Sequence, residues 1–305
     1  MTHSVLVTGA HGFLGRYVAR HFARNGWLVT GMGHGTWSES EFREWGLSFW
    51  HNAPVELDAL VTYGGEPDVI VHCAGSGSVS FSLVHPREDF LRTVSSTSAV
   101  LEYVRKYSPM TRVAYPSSAA VYGNAEQLPI KESQPLKPAS PYGLHKRMAE
   151  QLCLAHAAHF GLKLGVVRFF SIYGEHLKKQ LLWDACNKLS QGEHSFFGSG
   201  GEVRDWLHAE DAATLLAASA LHADASCPIV NGGSGEGVAV REILAELFDE
   251  FGVSSGPEFS DAPRAGDPRD YQADISCAAQ WGWAPLIGWR QGVRRYVRWF
   301  RENLR

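Results

Sequence analysis

The sequence predicts an α/β protein built on a doubly wound parallel sheet, with a smaller C-terminal α/β region, and three observations carry that expectation. Through the first half, short apolar runs alternate with longer segments of helical period. A glycine-rich turn joins the first apolar run directly to the first helical segment. From about Gly174 the pattern changes to separate helical segments divided by Gly-, Pro- and Ser-containing loops.

Taken in order, residues 4–8 form a five-residue segment, Ser-Val-Leu-Val-Thr, whose apolar centre and length fit a strand buried on both faces. Residues 13–25 then place apolar side chains at spacings of three and four, as a helix lying on a sheet must. Further strands are expected at 27–32, 47–51, 68–73, 112–116 and 164–168, with helices at 89–107 and 141–160. The later helices fall at 177–191, 209–221, 240–251 and 291–303. Residues 1–173 are therefore expected to form a first domain, and residues 174–305 a mainly substrate-binding region that returns some strands and helices to it.

Bulk properties narrow the classes of partner. Charged residues make up 20%, the net charge is −4, and no polybasic tract invites nucleic acid or a membrane surface. The longest apolar runs are strand-sized and none follows a basic leader, so a cytoplasmic protein without a signal peptide or membrane span is expected. Five cysteines with no CxxC pair fit reduced, packed thiols, with neither a disulfide framework nor a metal site.

The segment Val5-Leu-Val-Thr-Gly-Ala-His-Gly-Phe-Leu-Gly15 places Gly9, Gly12 and Gly15 between a strand and a helix. Glycine lets the backbone turn tightly and approach a pyrophosphate, while the unpaired N–H groups of the helix start attract its charge. This is a Rossmann-type dinucleotide loop, with His11, Phe13 and Leu14 also in reach of the ligand. No Gly-Lys-Ser/Thr follows, which excludes a P-loop nucleotidase.

Tyr142 and Lys146 lie four residues apart within an expected helix, and so share one face. A phenol titrating near 10 is a poor base at neutral pH, but a neighbouring ammonium and an oxidised nicotinamide favour its ionised form. Pro116-Ser-Ser-Ala-Ala-Val-Tyr-Gly123 ends an expected strand, where open parallel sheets place ligands. Either Ser117 or Ser118 can hydrogen-bond an oxygen that Tyr142 protonates.

With these motifs the chain resembles the extended short-chain dehydrogenase/reductases, the nucleotide-sugar epimerase/dehydratase family. Besides the loop and the Tyr-x-x-x-Lys pair, the resemblance includes His72-Cys-Ala-Gly75, Arg168-Phe-Phe-Ser-Ile-Tyr-Gly174 and Phe197-Gly-Ser-Gly-Gly-Glu-Val-Arg-Asp-Trp-Leu-His208. It implies that Tyr142 is the catalytic acid/base, that Lys146 holds the cofactor ribose and lowers the tyrosine pKa, and that Ser118 contacts the sugar oxygen. Ala74 would line the cofactor site. Arg204 and Arg264, the latter in Arg264-Ala-Gly-Asp267, would hold the diphosphate of a nucleotide-diphosphate sugar, and the helices at 89–107 and 141–160 would pair into a homodimer.

Departures from the family pattern refine the expectation. Where dehydrating members commonly carry Asp-Glu, this chain has Ala119 and Ala120, which disfavours elimination. Gly33 and His34 stand where a carboxylate would bind the 2′-hydroxyl of NAD, so NADP(H) is expected ahead of NAD(H). Ser171 and Thr93 replace frequent asparagines at substrate-contacting positions. The resulting expectation is hydride transfer at the sugar's C4. A 4-ketoreductase is favoured over a UDP-glucose 4-epimerase-like enzyme, and a non-catalytic, cofactor-binding regulatory protein is the third reading.

Overall fold

The computed structural model describes residues 2–260 and 270–303. The first part of the chain runs β1 (Ser4–Thr8), α1 (Phe13–Arg24), β2 (Leu28–Gly33), α2 (Glu39–Glu44), β3 (Phe49–Asn52), α3 (Leu57–Tyr63) and β4 (Val69–His72). It continues through α4 (Val79–Val84), α5 (Pro86–Phe90), a π-helical turn at Leu91–Ser95, α6 (Ser96–Tyr107) and β5 (Arg112–Ser118). A 3-10 turn at Ala119–Val121, α7 (Pro141–Phe160) and β6 (Lys163–Phe169) follow. The second part comprises β7 (Ser171–Tyr173), α8 (Gln180–Ser190), β8 (Ser195–Phe196), β9 (Val203–His208), α9 (Ala209–Leu221), β10 (Ile229–Gly232) and β11 (Gly237–Ala239). Last come α10 (Val240–Phe251), β12 (Glu258–Phe259), α11 (Ser276–Ala279) and α12 (Trp289–Asn303).

Seven strands form one parallel sheet in the order β10-β6-β5-β4-β1-β2-β3. The chain winds outward from β1 in one direction and from β4 in the other, so a crevice opens beyond the carboxyl ends of these two central strands. Alternation along the strands sorts the core into two layers. Leu6, Met32, Ile70 and Val113 face the layer containing α3, α6 and α7, while Val5, Val7, Val69 and Val71 face α1 and α9.

In the second part β7, β9 and β11 form a separate sheet whose three- to six-residue runs carry no legible period, so the positions of these strands are not read from the sequence. One expectation changes. The helix expected at 89–107 is divided into α5, the π-helical turn and α6. Asp89 and Thr93, on either side of that division, are both buried. A third core, formed by α8, α10 and α12 against Trp206 of β9, consolidates the C-terminal region. Among the described residues no helix is long and apolar enough to cross a membrane.

Candidate active site

The glycine loop follows β1 directly. Gly9 has φ +68°, and a Cβ there would meet Ala74 N at 2.6 Å, so the turn rests against the segment leaving β4. A Cβ on Gly15 would lie 2.2 Å from Gly9 O, and Gly12 N donates to that same carbonyl at 2.9 Å. The loop is thus folded tightly onto the first turn of α1. Gly12 is the N-cap, no side chain caps the helix, and no acidic residue occupies its first turn. An anionic group is the ligand such an end accommodates, and the closely fitted cradle suits a dinucleotide pyrophosphate. Phe13 and Leu14 open that helix. His11 packs its ring against Trp37 and Trp50, and Arg16 donates to His11 O at 2.7 Å.

Gly33 ends β2 with φ +154°, and a Cβ built on it would come within 3.3 Å of the Gly9 backbone. Glycine at this position therefore has a backbone cause that is independent of any cofactor. His34 beside it is exposed.

Tyr142 and Lys146 emerge from the first turns of α7, which Ser140 caps by accepting from Gly143 N at 3.2 Å. Lys146 Nζ donates to Pro116 O at 2.9 Å and lies 5.0 Å from the Tyr115 ring centroid and 6.0 Å from that of Tyr142. Burial lowers the Lys146 pKa to about 8, against the opposing fields of Cys73, Asp89 and Glu150. Its ammonium also stands 3.9 Å from a Cβ built at Gly75, at the mouth of the cleft beyond β4. Burial raises the Tyr142 phenol above its ordinary value, a hydrogen bond with Ser118 opposes the rise, and Asp89 adds to it. Ser118 draws the phenol down by that hydrogen bond.

The adjacent serines part company. Ser118 closes β5 with its hydroxyl toward the site, also accepting from Ala120 N at 3.2 Å. Ser117 points the other way, donating to Glu150, which binds Arg168 at 2.8 Å in a buried network with Tyr122 and Asn231. Neighbours on a strand face opposite sides, so only one of the pair can reach a ligand.

Ser171 and Arg204 lie on β7 and β9 of the smaller sheet, where Ser171 pairs with Trp206. Arg204 donates to Val203 O at 2.9 Å, and its charge opposes the rise of the Tyr271 phenol, which burial drives to about 12. Arg264 lies outside the described residues. One cation escaped the sequence reading: Lys179, the N-cap of α8, carries its ammonium 3.7 Å from a Cβ built at Gly77. It faces the loop after β4 from the C-terminal region, a juxtaposition without a local sequence signal. His72 is also fully enclosed, its Nδ1 2.7 Å from Thr8 Oγ1, and burial depresses its pKa to about 3. Among the described residues no group of His, Cys, Asp and Glu is placed to hold a metal ion.

A sequence model of the NAD dependent epimerase/dehydratase family matches residues 5–232. UDP-glucose 4-epimerase of Streptomyces lividans is 30% identical over 307 residues, spanning 93% of this chain and 92% of that enzyme. The structure of a UDP-glucose 4-epimerase from Thermotoga maritima with UDP-glucose superimposes with a TM-score of 0.89 at 25% identity, covering 99% of this chain and all of that one. MoeE5 in complex with UDP-glucuronic acid and NAD superimposes with a TM-score of 0.88 at 27% identity, over 99% and 100% of the two chains.

Proposed function

Because the chain belongs to the NAD dependent epimerase/dehydratase family, we propose that it is a nucleotide-sugar 4-epimerase. The observation that carries this reading is the grouping of Tyr142, Ser118 and Lys146 beyond the carboxyl end of β5, beside a loop shaped for a dinucleotide. Ala119 and Ala120 provide no carboxylate in the turn after Ser118, so the acid and base that elimination of water requires are missing there. The expectation of a ketoreductase gives way. It leaned on Gly33 and His34, the first of which has its own backbone cause, and the similar enzymes include proteins named as UDP-glucose 4-epimerases.

In this reading Ser118 and Tyr142 grip the oxygen on C4 of the sugar. The phenol, ionised once the cofactor's positive charge is beside it, takes the hydroxyl proton and later returns it. A bound nicotinamide supplies the hydride acceptor and donor. Lys146 holds the ribose side of that cofactor, and Gly9, Gly12 and Gly15 leave room for its pyrophosphate. In this reading Arg204 and Lys179 would meet the sugar diphosphate, Arg204 offering the planar fork that suits phosphate oxygens. With no carboxylate at Gly33 or His34 to repel a 2′-phosphate, the expected preference for NADP narrows to acceptance of both NAD and NADP.

Incubation with UDP-glucose, UDP-galactose and their N-acetylated forms, followed by NMR of the products, tests the assignment. Interconversion at C4 without net change in reduced cofactor supports it. Stoichiometric consumption of NAD(P)H on a 4-keto sugar makes the protein a reductase, and the absence of turnover on every sugar favours the regulatory reading.

A further inference from the structure

The first N–H groups of a helix find no carbonyl within it, and a helix start packed inside a protein must satisfy them from elsewhere. At the start of α7, Pro141 has no N–H to satisfy. Gly143 N donates to Ser140 Oγ at 3.2 Å, and Leu144 N makes the first internal bond, to Ser140 O at 2.9 Å. The donor left over is Tyr142 N. It reaches 60 residues back along the chain to Ser82 Oγ of α4, at 3.0 Å. Ser82 is fully enclosed, and its own hydroxyl proton goes to Val79 O at 2.7 Å, which leaves the oxygen oriented to accept.

We propose that Ser82 is a positioning residue for the acid/base step: it fixes the backbone of Tyr142 and thereby the place of the phenol beside Ser118. The proposal rests on the acid/base role of Tyr142 given above. A phenol is carried on two side-chain torsions, so once their rotamers are set its oxygen goes where the backbone puts it. A second contact holds the same turn. A Cβ on Gly143 would come within 2.5 Å of Ala120 O, so α7 starts in direct contact with the turn after β5. Ala120 N in turn donates to Ser118 Oγ at 3.2 Å. Tyr142 is thus held to α4 through Ser82, and to the turn that carries Ser118 through Gly143.

Helix α4 is otherwise unused by the proposed reaction. It packs on α5 and α7. Its N-cap, Ser78, accepts from Phe81 N at 3.2 Å and directly follows Gly77, which Lys179 faces. The element that holds Tyr142 therefore begins at the loop beyond β4. Placement of this kind weighs on rate more than on affinity: a reacting group displaced by about 1 Å can cost on the order of 10²-fold in turnover.

The test compares Ser82→Ala, which deletes the acceptor, with Ser82→Thr, which retains it. Ser108→Ala, which breaks a buried hydroxyl pair with Thr111 at the end of α6, is the control for lost stability. With NAD present, hydrogen exchange at the Tyr142 amide, resolved by NMR, should speed about tenfold or more in Ser82→Ala. Amides in the middle turns of α7 should stay within about twofold of wild type, and Ser82→Thr should restore the slow rate. In turnover, Ser82→Ala should lower kcat about 10- to 100-fold with KM within about twofold, while Ser108→Ala keeps the wild-type kcat. A merely structural hydroxyl would cost stability, as Ser108 does, without separating kcat from KM and without a change in exchange confined to Tyr142. Unchanged exchange at Tyr142, a kcat that stays with wild type or tracks melting temperature across the variants, or a stable Ser82→Thr no better than Ser82→Ala overturns the proposal. If Ser82→Ala does not fold, Ser82→Cys, similar in volume and a weak acceptor, takes its place under the same criteria. The exchange measurement needs no sugar. A wild type inert on every nucleotide sugar would therefore refute the epimerase reading, and exchange at Tyr142 alone would then decide this one.

Discussion

At the scale of single residues, the same chemistry is either usable or inert according to what encloses it. Tyr142→Phe deletes only the phenolic oxygen, so thermal stability and cofactor affinity should stay near wild type while kcat falls about 10²- to 10⁴-fold. Near-normal turnover by that variant would move the acid/base role elsewhere in the cleft. His72 shows the opposite use of an ionisable group: its ring is held neutral by burial, with its pKa at about 3 in the folded protein against 6.5 for an unperturbed histidine. An unfolded chain therefore binds a proton on His72 between those values that the folded one refuses, and stability must fall as pH drops from 6.5 toward 3. The loss is on the order of 5 kcal/mol when complete. Denaturant melts of His72→Gln should accordingly show a shallower decline over that range than wild type, and an equal slope would mean that other groups dominate acid unfolding. Residue pattern alone could nominate Ser117 and Ser118 only as alternatives, and it was the family resemblance that pointed to Ser118. Which of them faced the cleft depended on Glu150 and Arg168 standing behind β5, residues 33 and 51 positions further along the chain from Ser117.

At the scale of elements, the loop between β1 and α1 is where local sequence and local structure agree most closely. Gly15→Ala would drive a methyl group to within 2.2 Å of Gly9 O, a contact with backbone that no rotamer relieves. A cost of about 1–3 kcal/mol is expected, together with cofactor affinity weakened tenfold or more, because the displaced backbone is the cradle itself. Gly288→Ala is the control, since a Cβ there meets nothing within 4 Å. Equal effects on cofactor affinity in the two variants would show that the loop fit is unimportant. Gly33→Asp would be a poor probe of cofactor choice, given its φ of +154° and the nearby Gly9 backbone. His34→Asp adds a carboxylate at an exposed neighbour, and should weaken NADP(H) binding relative to NAD(H) in a fluorescence titration. The periodicity at 89–107 was legible as helix, but its π-helical turn was not, because one inserted residue alters hydrogen bonding without altering which side chains are apolar.

Across the whole molecule, the parts are tied by contacts between distant segments. Arg168 and Glu150 pair at 2.8 Å with side-chain exposures of 5% and 2%, joining β6 to α7, while Tyr122 and Asn231 extend the network to β10. Glu150→Gln would leave a buried guanidinium uncompensated, and chemical denaturation should record a loss of about 3–5 kcal/mol. A loss under about 1 kcal/mol would show that water or a rearranged neighbour replaces the carboxylate. On the outer side of the same layer, Leu91, Leu144 and Leu154 remain exposed. Such apolar surface favours a second copy of the chain. Sedimentation should give a dimer at micromolar concentration and a monomer for Leu154→Glu; a monomeric wild type would exclude that assembly. What the sequence determined by itself follows from short-range rules: the alternation of buried runs and amphipathic helices, the glycine cradle at the start of α1, and the shared face of Tyr142 and Lys146. Each depends on residues within a few positions of one another, where steric limits and helical period act directly. Tertiary structure alone decided that Ser117 turns away to Glu150, why residue 33 is glycine, and that Asp89 meets His145 across 56 residues of chain. Those outcomes depend on burial and on contacts between elements brought together only when the sheet closes, and neither spacing nor composition encodes them locally.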